Sequence, residues 1–64
     1  MIRVNGTEHA IDPVSVQELL GLLEIETRGI AVAHNGEIVR RSEWSNTKVL
    51  SGDSVEIVTA AAGG

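Results

Sequence analysis

The sequence contains no cysteine, no phenylalanine and no tyrosine, and it has only one proline and one tryptophan. Without cysteine, disulfides, thiolate metal ligands and thiol catalysis are excluded, which fits a reducing compartment such as the cytoplasm. Lysine and arginine are also scarce, at five residues against nine acidic ones, and the formal net charge is −4. Because a nucleic-acid-binding protein needs a basic face, we expect no nucleic-acid partner.

Long apolar runs are absent from the sequence as well. None approaches the roughly 20 residues that a membrane helix needs, and the strand pattern that begins directly after Met1 leaves no room for a signal peptide. We therefore expect no contact with a membrane. The 64 residues suffice for one domain. A chain of this length buries only about 60% of its unfolded surface, so we expect a modest stability.

Recognisable catalytic and cofactor-binding motifs are also missing. The sequence has no glycine-rich phosphate-binding motif and no serine in a nucleophile elbow. His9 and His34 are the only histidines, and two histidines without cysteine are more typical of solvated strand ends than of a metal site. We therefore expect no enzyme activity, no metal and no bound cofactor in this chain.

Alternation of apolar and polar residues predicts a series of short strands. The two Asn-Gly pairs, Asn5-Gly6 and Asn35-Gly36, are typical of tight hairpin turns because both turn positions favour positive φ. Ser51-Gly52-Asp53 is interpreted as a further turn. The segment 42–44 is interpreted as a turn or 3₁₀ segment that brings Trp44 against the edge of the core. The predicted strands cover residues 2–5, 7–11, 30–34, 37–40 and 54–59.

One amphipathic helix is predicted between the two hairpins. Ser15 and Glu18 have the spacing of a capping box, in which each side chain accepts a hydrogen bond from the backbone of the other. We expect Gly21, inside the helix, to permit the close approach of neighbouring backbone. The helical region is expected to end at residues 27–29. The predicted apolar stripe consists of Val16, Leu19, Leu20 and Leu23, widened by Leu22.

One helix can cover only one face of the predicted sheet. On the other face, Ala31, Ala33 and Val58 are expected to form a mild apolar patch. This patch is interpreted either as a docking surface for a partner or as ordinary exposed apolar surface. Arg40 and Arg41, at the end of a strand, are interpreted as a contact for a partner or as a solvated edge that discourages strand addition.

The last five residues, 60–64, are three alanines and two glycines. Holding five residues still costs about 5–10 kcal/mol, whereas three buried methyl groups return only about 0.8 kcal/mol each. We therefore predict a domain over residues 1–59 and a flexible tail over 60–64. Because glycine has no Cβ, Ala62 and Gly63 could thread into a narrow active site of a partner and present the carboxylate of Gly64. A frayed terminus is the alternative interpretation.

Six segments of the sequence together carry a resemblance to a known family. They are Ile30-Ala31-Val32-Ala33, Asn35-Gly36-Glu37-Ile38-Val39, Arg41-Ser42-Glu43-Trp44, Ser51-Gly52-Asp53, Val55-Glu56-Ile57-Val58 and Gly63-Gly64. With these segments the chain resembles, over essentially its whole length, the ThiS family of sulfur carriers for thiamine biosynthesis. The resemblance implies an α+β fold of the ubiquitin-like β-grasp type, in which a mixed sheet of four to five strands packs on one main helix.

The resemblance also implies a mechanism centred on Gly64. An E1-like adenylyltransferase would use ATP and Mg²⁺ to convert its carboxylate into a glycyl adenylate. Sulfur from a cysteine desulfurase or another persulfide donor would then replace AMP and leave a thiocarboxylate. A thiazole synthase would consume this sulfur in building the thiazole moiety of thiamine. The chain itself would be a monomer when free and would catalyse nothing.

Three features of the sequence depart from the pattern of the family. Arg40 stands where many members have proline, His34 stands where an apolar residue is usual, and alanines precede the final glycines where relatives often carry a larger apolar residue. Other interpretations stay open. They are a sulfur carrier for another pathway such as molybdopterin synthesis, a ubiquitin-like modifier attached to lysines, and an interaction module whose tail plays no part.

Overall fold

Seven strands and one α-helix make up the part of the chain that the computed structural model describes, residues 1–59. The predicted tail, with Ala62, Gly63 and Gly64, lies outside the described residues. The elements are β1 (Ile2–Val4), β2 (Thr7–His9), β3 (Val14–Ser15), α1 (Val16–Leu22), β4 (Ile30–His34), β5 (Glu37–Val39), a 3₁₀ helix (Arg41–Glu43), β6 (Lys48–Val49) and β7 (Ser54–Thr59).

Five of these strands form one mixed sheet in the order β2-β1-β7-β4-β5. β1 pairs with β7 in parallel, and the other neighbours in this sheet pair antiparallel. The middle strand is therefore β7, the last strand of the described chain. This arrangement confirms the predicted α+β class and the mixed sheet packed on one main helix. β3 and β6 form a separate two-stranded sheet, which the sequence pattern did not predict.

Both Asn-Gly pairs form the predicted hairpin turns. The φ angles are 50° at Asn5 and 84° at Gly6 in the first turn, and 50° at Asn35 and 87° at Gly36 in the second. Positive φ at both central residues gives the turn the twist of the flanking strands. The first turn joins β1 to β2, and the second joins β4 to β5. The two hairpins thus lie on opposite sides of β7 in the same sheet.

The core lies between the helix and one face of the sheet, which we call the covered face. Its fully buried members come from β1, α1, β4, β6 and β7. The indole of Trp44 closes one side and is only 2% exposed, and its N–H donates to the carbonyl oxygen of Val39 at 3.0 Å. The position predicted for the tryptophan is therefore confirmed. The buried residues are Ile2, Val4, Val16, Leu19, Leu20, Val32, Trp44, Val49 and Val55.

The helix begins with the predicted capping box. The backbone N–H of Glu18 donates to Ser15 Oγ and the backbone N–H of Ser15 donates to Glu18 Oε1, both at 3.0 Å. Two predictions for this helix are wrong. The side chain of Leu22 is 60% exposed and does not widen the buried stripe. A Cβ placed on Gly21 would meet nothing within 4 Å, so this glycine serves no close packing.

The helix also ends earlier than residues 27–29, because the backbone reverses at Glu24. Glu24 adopts a left-handed conformation with a φ of 55°. Its N–H donates to the carbonyl of Gly21 at 3.1 Å, and the N–H of Ile25 donates to the carbonyl of Leu20 at 3.0 Å. These two bonds form a Schellman motif, in which glycine is the usual left-handed residue. A glutamate at this position gave no signal in the sequence.

Candidate functional site

β7, the strand that precedes residues 60–64, is paired with a neighbouring strand on each side along its first half. β7 pairs with β4 along its whole length, from His34 opposite Val55 to Ile30 opposite Thr59. On its other side, β7 pairs with β1 at two positions, Arg3 opposite Ser54 and Val4 opposite Val55. β1 then ends in the first hairpin turn. Beyond Val55, β7 therefore has no strand on this side.

The side chain of Asn5 takes the place of the missing strand. Its Oδ1 accepts a hydrogen bond from the N–H of Ile57 at 2.8 Å, and its Nδ2 donates to the carbonyl oxygen of Ile57 at 3.1 Å. The backbone N–H of Asn5 also donates to the carbonyl oxygen of Val55 at 2.9 Å. One turn residue thus satisfies both polar backbone groups of Ile57, two residues before the end of β7.

Asn35, the matching residue of the second hairpin, holds the other end of β7. Its N–H donates to the carbonyl oxygen of Ser54, and its Oδ1 accepts from the N–H of Ser54, both at 2.8 Å. Each Asn-Gly turn therefore places an asparagine on the same strand. Asn35 holds β7 where it begins, and Asn5 holds it near the residues that follow the sheet.

The face of the sheet turned away from the helix carries an apolar patch. In the antiparallel register Ala31 lies opposite Val58, and Ala33 lies opposite Ile38 on its other neighbour. Opposed residues share a face, so these four side chains form one surface, which we call the open-face patch. Ile38 is 72% exposed and Val58 is 59% exposed. The predicted group of Ala31, Ala33 and Val58 is therefore brought together.

Ile38 is the member of the open-face patch that the sequence analysis missed. The alternation of Glu37–Val39 puts it on the opposite face from Val39, which is partly buried against the core. That signal was present in the sequence. Assigning Ile38 to the same surface as Ala33 also needs the register of the hairpin, which the turn at residues 35 and 36 fixes.

Acidic groups lie beside the open-face patch. Glu56 stands opposite Ala33 on the open face and is exposed. Among residues 1–59 it belongs to none of the ion pairs. Farther along the same face, Arg3 and Glu8 form an exposed salt bridge of 2.7 Å between β1 and β2. The open face thus offers an apolar surface next to one free carboxylate.

The two predicted contact arginines have different surroundings. Arg40 is exposed and precedes the 3₁₀ helix in extended backbone. Arg41 lies with its guanidinium carbon 4.7 Å from the ring centroid of Trp44, and it donates to the carbonyl oxygen of Thr27. A cation over an indole face is attracted by the ring, so Arg41 helps to hold the segment before β4 against the core edge. A partner contact stays a prediction for both arginines.

His34 is not solvated as predicted, because it pairs with Asp53. Nε2 of His34 lies 2.8 Å from Oδ2 of Asp53, and the two side chains are only 20% and 19% exposed. The same carboxylate oxygen accepts from the N–H of Leu50 at 2.9 Å. The Leu50 N–H, followed by the side chains of His34 and Asn35, lowers the pKa of Asp53 from 3.8 to about 2. His34 and Asp53 thus join the end of β4 to the turn before β7.

Residues 1–59 contain neither a metal-binding cluster of side chains nor a membrane-spanning helix. Nowhere in this range do three or more histidine, aspartate or glutamate side chains come together in a way that could hold a metal ion. No helix in this range is long and apolar enough to cross a membrane.

Comparison with known proteins agrees with this geometry. The model of the ThiS family matches residues 2–64, which include β7 and the glycines after it. The chain belongs to the ThiS family. A crystal structure of the thiamine biosynthesis protein ThiS from Geobacter metallireducens superposes with a TM-score of 0.82 at 33% identity, covering 98% of this chain and 97% of that one. The family membership and the β-grasp fold expected from the sequence are thus confirmed.

Two other comparisons cover a smaller share of the matched chain. A solution structure of a thiamine biosynthesis protein from the same organism gives a TM-score of 0.74 at 33% identity, covering 98% of this chain and 86% of that one. A thiazole synthase from Paramagnetospirillum magneticum is 39% identical over 62 residues. These residues are 95% of this chain and 19% of that protein. The chain therefore spans about a fifth of the curated relative.

Proposed function

We propose that this chain is the sulfur carrier for the thiazole moiety of thiamine and that it carries sulfur on the carboxyl group of Gly64. The observation that carries the proposal is the match of the ThiS family model through the terminal Gly-Gly. The similarity to a thiamine biosynthesis protein supports the pathway. The position of β7 supports the use of the residues after it, because a strand held in the middle of a sheet gives them a fixed point of departure.

In the proposed reaction, an oxygen of the Gly64 carboxylate attacks the α-phosphorus of ATP on an E1-like adenylyltransferase, and pyrophosphate leaves. The terminal sulfur of a persulfide then attacks the carbonyl carbon, and AMP leaves with the bonding electron pair. A thiol cleaves the resulting sulfur–sulfur bond, so that a thiocarboxylate remains and the two thiols end as a disulfide. ATP and Mg²⁺ belong to the partner, and the persulfide comes from a cysteine desulfurase or another donor. The chain is a co-substrate and not a catalyst.

The carboxylate needs this activation for a simple reason. A terminal carboxyl group has a pKa of about 3.5, so at neutral pH it is an anion that repels a sulfur nucleophile. Formation of the mixed anhydride with AMP removes the negative charge of the carboxylate and supplies AMP as a leaving group. Glycine suits the position because a residue without Cβ passes through a channel too narrow for a side chain. Gly63 is proposed to follow the reacting residue into that channel, and Ala62, with its single methyl group, to lie at the channel entrance.

The open-face patch is the proposed docking surface for the adenylyltransferase and then for the thiazole synthase. Ala31 and Ala33 have short side chains, so a partner can approach β4 closely, while Ile38 and Val58 offer larger exposed apolar groups. Glu56 would pair with a cation on the partner at the edge of this contact. The thiazole synthase that matches this chain supports the second partner. Arg40 is proposed to contact an acidic group on one of the two partners.

The test of this function is incubation with ATP, Mg²⁺, an adenylyltransferase of the family and a persulfide source, followed by intact-mass measurement. We expect an AMP adduct first and then a mass gain equal to sulfur replacing oxygen. A variant that lacks Gly64 is the control, and it should gain neither group while its free energy of unfolding stays unchanged. Sulfur gain by the truncated variant would refute the proposal. Conjugates with lysines of other proteins would instead indicate a ubiquitin-like modifier.

A further inference from the structure

The last residues of β7 have an unequal environment on their two sides. On one side, β4 continues to pair with β7 as far as Thr59. On the other side, β1 has already turned away. Within residues 1–59, only the side chain of Asn5 contacts the backbone of β7 there, through the two hydrogen bonds to Ile57. A strand segment with one neighbour has no backbone hydrogen bonds on its other side. The direction in which β7 leaves the sheet thus depends on β4 on one side and on the side chain of Asn5 on the other.

We infer that Asn5 is a positioning residue, which fixes the direction in which β7 delivers the residues that follow it to the partner's active site. This inference rests on the proposed function. Ile57 is seven residues before Gly64, and extended chain covers about 3.3 Å per residue. The seven residues after Ile57 can therefore reach at most roughly 23 Å toward the partner's active site. The direction of β7 from Ile57 to Thr59 decides where that reach begins.

Asn35 provides a matched control, because it makes the same kind of contact with the same strand. It bonds to Ser54, which is ten residues before Gly64 and lies where β1 and β4 both hold β7. Removing the amide at Asn35 therefore leaves the end of β7 fixed. Removing the amide at Asn5 leaves that end held by β4 alone. Glycine is the substitution of choice at both positions, since it accepts the φ of 50° that each turn requires.

The experiment compares Asn5→Gly with Asn35→Gly in ATP–pyrophosphate exchange on the adenylyltransferase. We expect kcat to fall by about 10-fold to 100-fold for Asn5→Gly, the range seen when a remote change misplaces a reacting group. KM should stay close to the wild-type value because the open-face patch is unchanged. Asn35→Gly should keep both values. Amide hydrogen exchange should quicken at Ile57 in the first variant and at Ser54 in the second, which verifies that each bond has been removed.

The outcomes separate this inference from the proposed function. Equal kcat values for the two variants, with exchange quickened at Ile57, would overturn the role of Asn5 alone. A wild-type chain that supports no exchange would overturn both proposals. If Asn5→Gly does not fold, Asn5→Asp replaces it, because aspartate tolerates the left-handed turn and keeps the oxygen but loses the donor to Ile57. Its kcat should also fall, and a wild-type kcat would contradict the inference.

Discussion

The covered face and the open face of the central sheet are made by the same strands but carry different side chains. On β4, Val32 is fully buried against the helix, whereas its neighbours Ala31 and Ala33 lie on the open face among exposed groups. On β7, Val55 is fully buried and Val58 is 59% exposed. The free energy of folding therefore comes from one face. The other face is free to serve binding, and substitutions on the two faces should have separable effects.

The largest effect is expected on the covered face. Leu19→Ala removes a fully buried side chain of α1 and should lower the free energy of unfolding by about 2–5 kcal/mol. A domain of this size has only about 3–10 kcal/mol in total, so much of the protein should unfold. Leu22→Ala, the same change at a 60% exposed position of the same helix, should cost no more than about 0.5 kcal/mol. Chemical denaturation checks both, and equal losses would refute the assignment of faces.

The next largest effect is expected on the affinity of the open-face patch for the adenylyltransferase. Ile38→Ser should weaken the complex with the adenylyltransferase by about 10-fold to 100-fold, because burying an isoleucine contributes about 1.5–3 kcal/mol. Its effect on the free energy of unfolding should not exceed about 1 kcal/mol. Leu22→Ser is the control, since Leu22 is similarly exposed but lies on the helix that covers the other face. Calorimetric titration measures the dissociation constants, and an unchanged value for Ile38→Ser would exclude the open-face patch as the docking surface.

A third prediction concerns the pH dependence of stability and the pair formed by His34 and Asp53. The pKa of Asp53 is about 2 in the folded protein against an ordinary 3.8. A lowered pKa contributes stability above the ordinary value, and this stability is lost as the pH falls through the folded value. The advantage of the wild type over Asp53→Asn should therefore be full above about pH 4 and shrink toward pH 2.

Denaturation curves between pH 7 and pH 2 measure this advantage. Asp12→Asn is the matched control, because Asp12 is exposed and makes none of the hydrogen bonds of Asp53. A difference between wild type and Asp53→Asn that stays constant over the whole pH range would contradict the prediction. It would mean that the carboxylate of Asp53 gains nothing from Leu50 and His34.

The smallest effect on the free energy of unfolding is expected on the solvent-facing side of α1, and it is an increase in stability. Gly21→Ala should raise the free energy of unfolding by about 1 kcal/mol, because alanine favours the helix over glycine and a Cβ there meets nothing within 4 Å. Gly52→Ala is the opposite case. Its Cβ also meets nothing, but its φ of 92° is strained for alanine, so stability should fall. If Gly21→Ala and Gly52→Ala changed the free energy of unfolding in the same direction, the backbone conformation of the two glycines would not explain their effects.

Local signals in the sequence predicted much of this fold. The Asn-Gly pairs fixed two hairpins, and Ser15 with Glu18 fixed the start of the helix, because in each case the determining contacts lie within a few residues. The buried stripe of the helix and the small residues of the open face followed from periodicity in the same way. The two sides of β4, with Val32 on one and Ala31 and Ala33 on the other, were predicted without any knowledge of what lay opposite.

Long-range pairing explains what the sequence could not predict. His34 was interpreted as solvated because its sequence neighbours do not indicate a partner for it. Its partner, Asp53, is 19 residues away. Asn5 was recognised as a turn residue, but its bonds to Ile57 join positions 52 residues apart. The helix ends at a left-handed glutamate where a glycine would have been the signal. For His34 and Asn5 the residue type permits several structures, and the strand order selects one. The helix end is local, and it was missed because glutamate is not the usual residue of a left-handed cap.

The place of β7 has a consequence for how the protein is made. During synthesis, β1 and β4 are made before β7, the strand that lies between them in the sheet. The two hairpins must wait unjoined, because their shared neighbour consists of residues 54–59. A chain broken off before that point has two halves of a sheet and no centre. The sheet that joins β1 to β4 can therefore form only after residues 54–59 have been synthesised.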